Sequence, residues 1–596
     1  MDRRERIEKL REWMRARSVD ACLIPTSDYH SSEYIGEFFK GRKWISGFTG
    51  SAGTLVVSLT EAGMWVDGRY FIQAEEQLAG SGIKLFKMGQ PGVPPVIRWL
   101  TDNLPEGGKL AFDGKVLPLQ DGVKIARALE SKGVSVFWKD DPFDGVWDTR
   151  PPFDFAPADL LDLRFAGESG ADKVARLRAA MAKKKADLHL LTSLDDLAWL
   201  FNMRGDDIPC NPVVFSFAAI TQDSIRLFLS KEKMSEALLA EFDSLGVQID
   251  EYDAFYPYLE QLAGEAAESL RVLIDPQKVS YALWATLHGH CTLIEAQNPT
   301  TLMKAVKNPV EQENLREAHR KDALAMVHFL YWMEQNEGKI SMSELSVGGV
   351  LDSFRMKQPG NRGLSFGTIS AYGIHAALPH YSPTLESDLK IEPEGFYLVD
   401  SGGQYDEGTT DITRTFAVGP ITEDMKVHYT AVLAGMLSLG MVQFPKGVPG
   451  SALDVLARLP LWDMGEDYNH GTGHGVGFLL NVHEGPNSFR WGNAKTGDIA
   501  MEPGMMTSDE PGYYREGEYG IRTENLLMCV EKENGFLGFE HLTLVPIDQK
   551  PILWDRLTPV QISALNEYHK RVYETLADDL PEEEREWLRA ATAPHE

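Results

Sequence analysis

Residues 396–524 place four acids and one histidine, Asp400, Asp411, His474, Glu510 and Glu524, in settings unlike those of ordinary surface residues. Asp400 closes the apolar run Phe396-Tyr397-Leu398-Val399 and precedes Ser401-Gly402-Gly403. Asp411 stands in Gly408-Thr409-Thr410-Asp411-Ile412-Thr413-Arg414-Thr415, after a Tyr405-Asp406-Glu407-Gly408 turn. This pattern predicts a hairpin with one carboxylate on each strand. His474 lies in His470-Gly471-Thr472-Gly473-His474-Gly475-Val476-Gly477, Glu510 in Ser508-Asp509-Glu510-Pro511-Gly512, and Glu524 in Tyr519-Gly520-Ile521-Arg522-Thr523-Glu524-Asn525. A lone Asp at a strand end is ordinarily a turn residue, and a lone Glu beside Pro-Gly is ordinarily solvated. Five such residues from four segments constrain the fold because they carry one chemistry if they meet.

Four carboxylates brought together repel one another and raise each other's pKa unless positive charge sits among them. Two divalent cations would cancel that charge. Carboxylate oxygen with one imidazole and no thiolate is a hard ligand set, suited to Mn²⁺, Co²⁺ or Zn²⁺ rather than to Cu⁺ or an iron-sulfur cluster. Two such ions about 3.5–4 Å apart share bridging carboxylates and draw the pKa of a bridging water toward neutrality.

His470 and His474 are four apart, a spacing that on a helix would put both on one face. Gly471, Gly473, Gly475 and Gly477 argue for extended or turn geometry instead, so only one of the pair need bind metal. Arg522, two before Glu524 on an expected strand, points to the same side and can pair with a ligand carboxylate to fix its orientation. Tyr513 and Tyr514 behind Glu510 are candidate walls of the pocket.

The order, spacing and context of these residues resemble the pita-bread metallopeptidases, which include aminopeptidase P, prolidase and methionine aminopeptidase; the similarity is greatest to the large, three-domain aminopeptidase P form. The resemblance implies that Asp400 chelates one metal, Asp411 and Glu524 bridge, and His474 and Glu510 hold the second, with Mn²⁺ the ion expected. It extends to His380 in Ala376-Ala377-Leu378-Pro379-His380-Tyr381, to His483 in Asn481-Val482-His483-Glu484-Gly485-Pro486, and to His470. These three are implied to line the substrate cleft, His380 and His483 assisting carbonyl polarisation and proton movement alongside Glu510. His375 departs from the family pattern and receives no role.

The 596-residue chain has the composition of a globular protein, and its length alone points to three or four domains. Its 59 basic and 88 acidic residues give a formal charge of −29, which repels phosphate backbones and anionic membrane surfaces. Nucleic acid and membrane are not expected partners. Cys22, Cys210, Cys291 and Cys529 stand singly, as thiols in a reducing compartment do. Met1-Asp2-Arg3-Arg4-Glu5-Arg6 lacks the apolar core of a signal peptide, and no later run is long and apolar enough to span a bilayer, so a cytoplasmic location is expected.

Ile7, Leu10 and Met14 fall on one helical face and residues 19–25 read as a buried strand, opening an α/β domain. A similar order returns later, with a helix over 173–184, a strand over 187–191 and the apolar run Leu197-Ala198-Trp199-Leu200-Phe201, so a duplication is expected. The resemblance implies two related creatinase-like N-terminal α/β domains, here 1–156 and 157–303, with the Pro- and Asp-rich stretch 143–156 as linker. Arg69, Trp44 and Arg204 are candidates for the cleft rim, although large aromatics are mostly core.

The catalytic domain is expected over 304–596. Asn308 as N-cap and Pro309 at the first helical position start a helix running to about 336. Thr422 caps a second that stops before Pro445, and a third begins near Ser451. Trp554, Leu557, Ile562, Leu565 and Tyr568 predict a packed helical C-terminal extension. A curved antiparallel sheet backed by helices follows from the resemblance.

The resemblance implies removal of the N-terminal residue from peptides with proline second, by attack of a metal-bridging hydroxide on the Xaa-Pro carbonyl, in a homodimer. A prolidase-type Xaa-Pro dipeptidase is the alternative, against which the chain length argues. A metal-free creatinase-like hydrolase and a non-catalytic protein-binding module are disfavoured because every ligand type is present.

Overall fold

The structure is a computed structural model, and it describes residues 1–265, 269–491 and 499–595. The chain divides into two compact units. One comprises residues 1–161 and 169–300; the other comprises residues 162–168 and 301–596.

The first unit holds two six-stranded sheets. In chain order, the first contains Ala21–Pro25 (β1), Thr54–Ser58 (β2), Ala62–Val66 (β3), Lys84–Lys87 (β4), Lys109–Ala111 (β5) and Ser135–Phe137 (β6), arranged β4-β3-β2-β1-β5-β6. The second contains Leu188–Leu191 (β7), Phe217–Thr221 (β8), Ile225–Phe228 (β9), Val247–Asp250 (β10), Arg271–Ile274 (β11) and Thr292–Glu295 (β12), arranged β10-β9-β8-β7-β11-β12. The two orders are the same. So are the directions: the first three strands of each sheet pair antiparallel, and every other pairing is parallel. The duplication expected from a helix, a strand and a Trp-led run is therefore present at the level of topology.

The two copies also meet through equivalent residues. Tyr281 N donates to Leu117 O (2.8 Å) while Leu119 N donates to Val279 O (2.9 Å), and Ala282 N donates to Gly114 O (2.8 Å) while Gln120 N donates to Pro276 O (3.2 Å). Each pair exchanges the roles of residues at one constant spacing along the chain, the reciprocity of an isologous interface. Both turns begin on an acid at the end of a strand. Asp113 Oδ1 accepts Lys115 N (2.8 Å), and Asp275 Oδ1 accepts Gln277 N (3.0 Å).

Residues 143–156, read as a linker, carry no strand or helix, but they are packed down: Phe143, Val146 and Trp147 are buried in the core of the first sheet. Trp44 stacks on Trp147 with ring centroids 5.3 Å apart. Arg204 is buried and donates to Ala198 O and Met203 O, and Arg69 pairs with Asp67. Trp44 and Arg204 are thus built into the interior of this unit.

In the second unit, helix Pro309–Asn336 begins as expected. The Asn308 side chain accepts from Val310 N and Glu311 N, Glu311 reaches back to Asn308 N, and Pro309 occupies the first turn. Helices Glu423–Gly440, capped by Thr422, and Gly450–Trp462 follow. Strand Phe396–Ser401 pairs antiparallel with Ile369–Tyr372 on one side and Ile412–Ala417 on the other. The short strands Gly403–Tyr405 and Gly408–Thr409 lie between the latter two in sequence but join a different sheet, so the predicted hairpin changes sheets at its tip. One core links Val327 and Phe329 of the long helix, Tyr397 and Val399 of the sheet, Tyr429 and Val432 of the second helix, and Leu565 and Val572 of the C-terminal helix Pro559–Leu576.

Candidate metal centre

The sheet aims its acids by register. Asp400 is paired across from Thr413 on the neighbouring strand. Asp411, two residues before Thr413, faces the same side by the two-residue alternation of a strand. Glu524 falls between strands Tyr519–Arg522 and Asn525–Glu531, and Glu510 directly follows Met506–Asp509. His474 sits in a two-residue strand that cannot carry side chains at its flanks. A Cβ on Gly473 would lie 1.7 Å from Ser508 O, and one on Gly475 would lie 2.0 Å from Glu484 O. The glycines that ruled out a helix here are needed for this close backbone approach.

Asp411, His474 and Glu524 each offer one ligand atom within 4.8 Å of the others. His474 Nε2 is 3.5 Å from Asp411 Oδ2 and 3.4 Å from Glu510 Oε1. His474 Nδ1 donates to Gly475 O (2.9 Å), which turns Nε2 toward the acids. Asp400 joins the group through Arg522, whose Nη2 donates to its Oδ2 (2.6 Å). All five predicted ligands are brought together. Asp400, Asp411 and Glu524 are 8%, 4% and 1% exposed.

Burial and crowding act on these groups in the expected direction. Burial, then the charge of Asp411, raises Asp400 even against Arg522. Burial with Asp411, Glu510 and Asp400 holds Glu524 well above the usual carboxylate range. Glu510 is pushed up to about 7 by burial and by Asp411 and Asp400, against the pull of His474 and Arg522. Burial opposes charge on His474, but the Asp411 hydrogen bond and the Glu510 and Asp411 charges outweigh it and carry the imidazole up to about 9. Asp400 Oδ1 and Glu524 Oε1 are buried without any hydrogen-bond donor. An unpaired buried carboxylate oxygen is costly, and a divalent cation supplies what both lack. The residues fit a metal pair.

Side chains beyond the five predicted ligands hold the acids still. Thr413 Oγ1 donates to Glu524 Oε2 (2.7 Å), and Ser508 Oγ donates to Glu510 Oε1 (3.2 Å) and accepts His474 N (2.9 Å). Neither was singled out in the sequence, although each lies two residues from a ligand on a strand, the spacing that had already pointed to Arg522. Arg522 Nη1 donates to Tyr514 OH (2.8 Å), which donates onward to His470 Nε2 (2.8 Å), the other ring nitrogen of His470 being committed to Gly471 O. Burial and the nearby Arg522 charge lower His470 to about 3, so it stays neutral.

The predicted cleft histidines take different places. The His483 ring meets the His474 ring edge-on, centroids 4.3 Å apart. His470 is one hydroxyl removed from Arg522. His380 is exposed and follows Pro379, whose carbonyl accepts Arg522 Nη2 (3.3 Å). Tyr513 is not a wall: it is buried and stacked on His428 at 3.8 Å.

A Creatinase/Prolidase N-terminal domain model matches residues 6–137 and another matches 149–311; metallopeptidase family M24 matches 313–531, and a C-terminal region of peptidase M24 matches 535–595. Over 99% of both chains the protein is 38% identical to aminopeptidase P1 of Arabidopsis thaliana. The chain belongs to the aminopeptidase P family. It is also 38% identical to Xaa-Pro aminopeptidase 2 of Homo sapiens, covering 98% of this chain and 88% of that one. Among solved structures it matches the X-prolyl aminopeptidase of Caenorhabditis elegans, a cytosolic enzyme with a di-nuclear active site, at TM-score 0.95 and 35% identity over 100% of both chains. The Xaa-Pro dipeptidase of Bacillus anthracis, at TM-score 0.52 and 26% identity, covers 99% of its own length but 64% of this chain.

Proposed function

We propose that this protein is a two-metal Xaa-Pro aminopeptidase, releasing the N-terminal residue from peptides with proline second. The observation that carries this reading is the cluster of four carboxylates, three of them buried, and one histidine, two of its oxygens without donors, in a chain that aligns end to end with Xaa-Pro aminopeptidases. Asp400, Asp411, His474, Glu510 and Glu524 are the proposed ligands. Their oxygen-rich set favours Mn²⁺. Bound there, the ion pair supplies Lewis acidity and a low-pKa water at neutral pH.

The protein's own groups do the rest. The X–Pro bond is a tertiary amide without N–H, so its nitrogen must be protonated as it leaves. Glu510, against His474 at 3.4 Å, is placed to take a proton from the attacking water and return it to that nitrogen. Arg522 holds Asp400 and, through Pro379 O, the segment of His380, which steadies the developing oxyanion. His470, neutral and donor-bound, and His483, edge-on to His474, wall the cleft.

A dipeptidase using the same centre is the second reading, and the limited coverage by the dipeptidase structure weighs against it. Hydrolysis of Xaa-Pro-Xaa, Xaa-Ala-Xaa and bare Xaa-Pro decides the matter. Cleavage of the first alone supports the proposal; equal cleavage of the alanine peptide, or preference for the bare dipeptide, defeats it.

The same likeness supports a cytoplasmic enzyme with domains near 1–156, 157–303 and 304–596. A homodimer is also proposed. It is supported by the exposed stripe Val455, Leu459 and Trp462 on helix Gly450–Trp462, continued by Met464 and by Trp491 packed edge-on against Trp462. Light scattering giving a mass near the 66.5 kDa of one chain would contradict it.

A further inference from the structure

His380 sits midway in a segment, residues 372–389, that has almost no regular structure beyond the short 3-10 turn Gly373–Ala377. A histidine placed to meet a developing charge must nevertheless be held to within a fraction of an ångström. The hold comes from outside the metal centre. Glu344, at the start of helix Glu344–Met356, has a side chain with no solvent exposure. Its carboxylate gathers donors from both ends of that one segment. Oε1 accepts Tyr372 N (2.8 Å), Oε2 accepts Tyr381 OH (2.8 Å) and Leu389 N (3.0 Å), and His375 Nδ1 stands 3.0 Å from both oxygens.

These contacts form a closed set. The His375 ring stacks on Tyr381 with centroids 4.2 Å apart, so the two side chains flanking His380 on either side brace each other as well as the acid. Glu344 N also donates to Leu389 O (3.0 Å), tying the far end of the segment to the same helix turn. On its opposite side the segment rests on strand Tyr519–Arg522. A Cβ on Gly520 would lie 1.8 Å from Ala376 O, and Arg522 donates to Pro379 O at 3.3 Å while holding Asp400 at 2.6 Å. The segment is thus gripped between a buried acid and the strand that orients a metal ligand.

We propose that Glu344, His375 and Tyr381 form a clamp that positions His380 for the reaction. None of the three touches substrate; they are positioning residues. The proposal rests on the role given above to His380. A full buried carboxylate shared among so many donors resists rotation of the segment because any one donor that swings away leaves an unsatisfied group behind.

The test is a double-mutant cycle in the full-length, metal-loaded enzyme, read on an Xaa-Pro-Xaa peptide. His375→Ala removes the donor and the stacked ring and is expected to lower kcat/KM about tenfold, chiefly in kcat. Metal content should stay at the wild-type level, since His375 lies outside the metal centre. His375→Asn keeps an N–H where Nδ1 stood and is expected to recover activity to within about twofold of wild type. In a His380→Ala background the cost of His375→Ala should shrink below about twofold, because residues acting through one another are not additive. Glu344→Gln, which replaces an acceptor by a donor facing other donors, should cost more than His375→Ala in the wild-type background and lose that excess in the His380→Ala background. Unchanged kcat/KM for His375→Ala, or an equal loss in both backgrounds, overturns the clamp. Full activity of His380→Ala alone overturns the role of His380 and the proposal with it, whereas additivity on top of a crippled His380→Ala overturns the proposal and leaves that role standing.

Discussion

Asp113 and Asp275 in the N-terminal unit, and Asp400 and Glu524 in the catalytic unit, are all carboxylates withdrawn from water, and the two units treat them differently. In the N-terminal turns each acid is met by backbone two residues on, Lys115 N for Asp113 and Gln277 N for Asp275, and Asp275 also accepts Asn298 N at 2.9 Å. The donors are local or nearly so, and the acid shapes a turn. In the catalytic sheet the acids converge from distant segments, and one oxygen of Asp400 and one of Glu524 meet no donor. A buried acid satisfied by its own turn is a structural part; buried acids that share a space without donors are waiting for a cation.

Removing an acid from each place should separate the two roles. Glu524→Ala is expected to lower kcat/KM by about a thousandfold or more, since a proposed bridging ligand is lost from a two-metal centre. Its melting temperature without metal should match or exceed that of the wild type, because an acid burdened by Asp411, Glu510 and Asp400 has been removed. A collapse of the fold in that variant would make Glu524 a structural acid like Asp275. Asp275→Ala should do the reverse. Two backbone donors lose their acceptor, costing about 1–3 kcal/mol in denaturant unfolding, while metal content stays at the wild-type level; loss of metal there would erase the distinction.

The smallest expected effect lies within the N-terminal unit. Burial and the neighbouring Asp141 push Asp113 up to about 7. An acid raised in the folded state holds its proton more tightly there than in the unfolded chain. Its stabilising contribution is complete below the unfolded carboxylate value near 3.9 and is lost as pH rises through about 7. Asp113→Asn, which keeps an oxygen for Lys115 N and has no proton to lose, should therefore gain stability over the wild type at pH 8 and little at pH 4. Urea midpoints at the two values check this, and a gain confined to low pH would reverse the sign.

The division between local and distant partners also marks what could be read from the sequence. The proposed ligands stand out because each sits beside a local signature: Asp400 at the end of an apolar run, His474 among glycines, Glu510 before Pro-Gly. Helix Pro309–Asn336 was legible from Asn308 and Pro309, which act on the backbone beside them. Arg522 was found by strand alternation, and the same rule applied to Thr413 and Ser508 would have added both. Glu344 could not be found so, because its donors lie from 28 to 45 positions away along the chain. Composition alone did not show that Phe143, Val146 and Trp147, within the Pro- and Asp-rich stretch 143–156, are core. The repeat was faint in sequence because the two copies share strand order and turn hydrogen bonds, the Asp that opens each turn being a side chain held in common.

The central claim is that the donorless acids of the catalytic sheet exist to bind a pair of cations. Elemental analysis of protein purified without chelator, and of apo protein titrated with Mn²⁺, tests it most directly. Saturation is expected at about two ions per chain, falling below one in Glu524→Ala, with Xaa-Pro-Xaa hydrolysis following occupancy. Full hydrolysis by metal-free protein, or undiminished binding in Glu524→Ala, would contradict it.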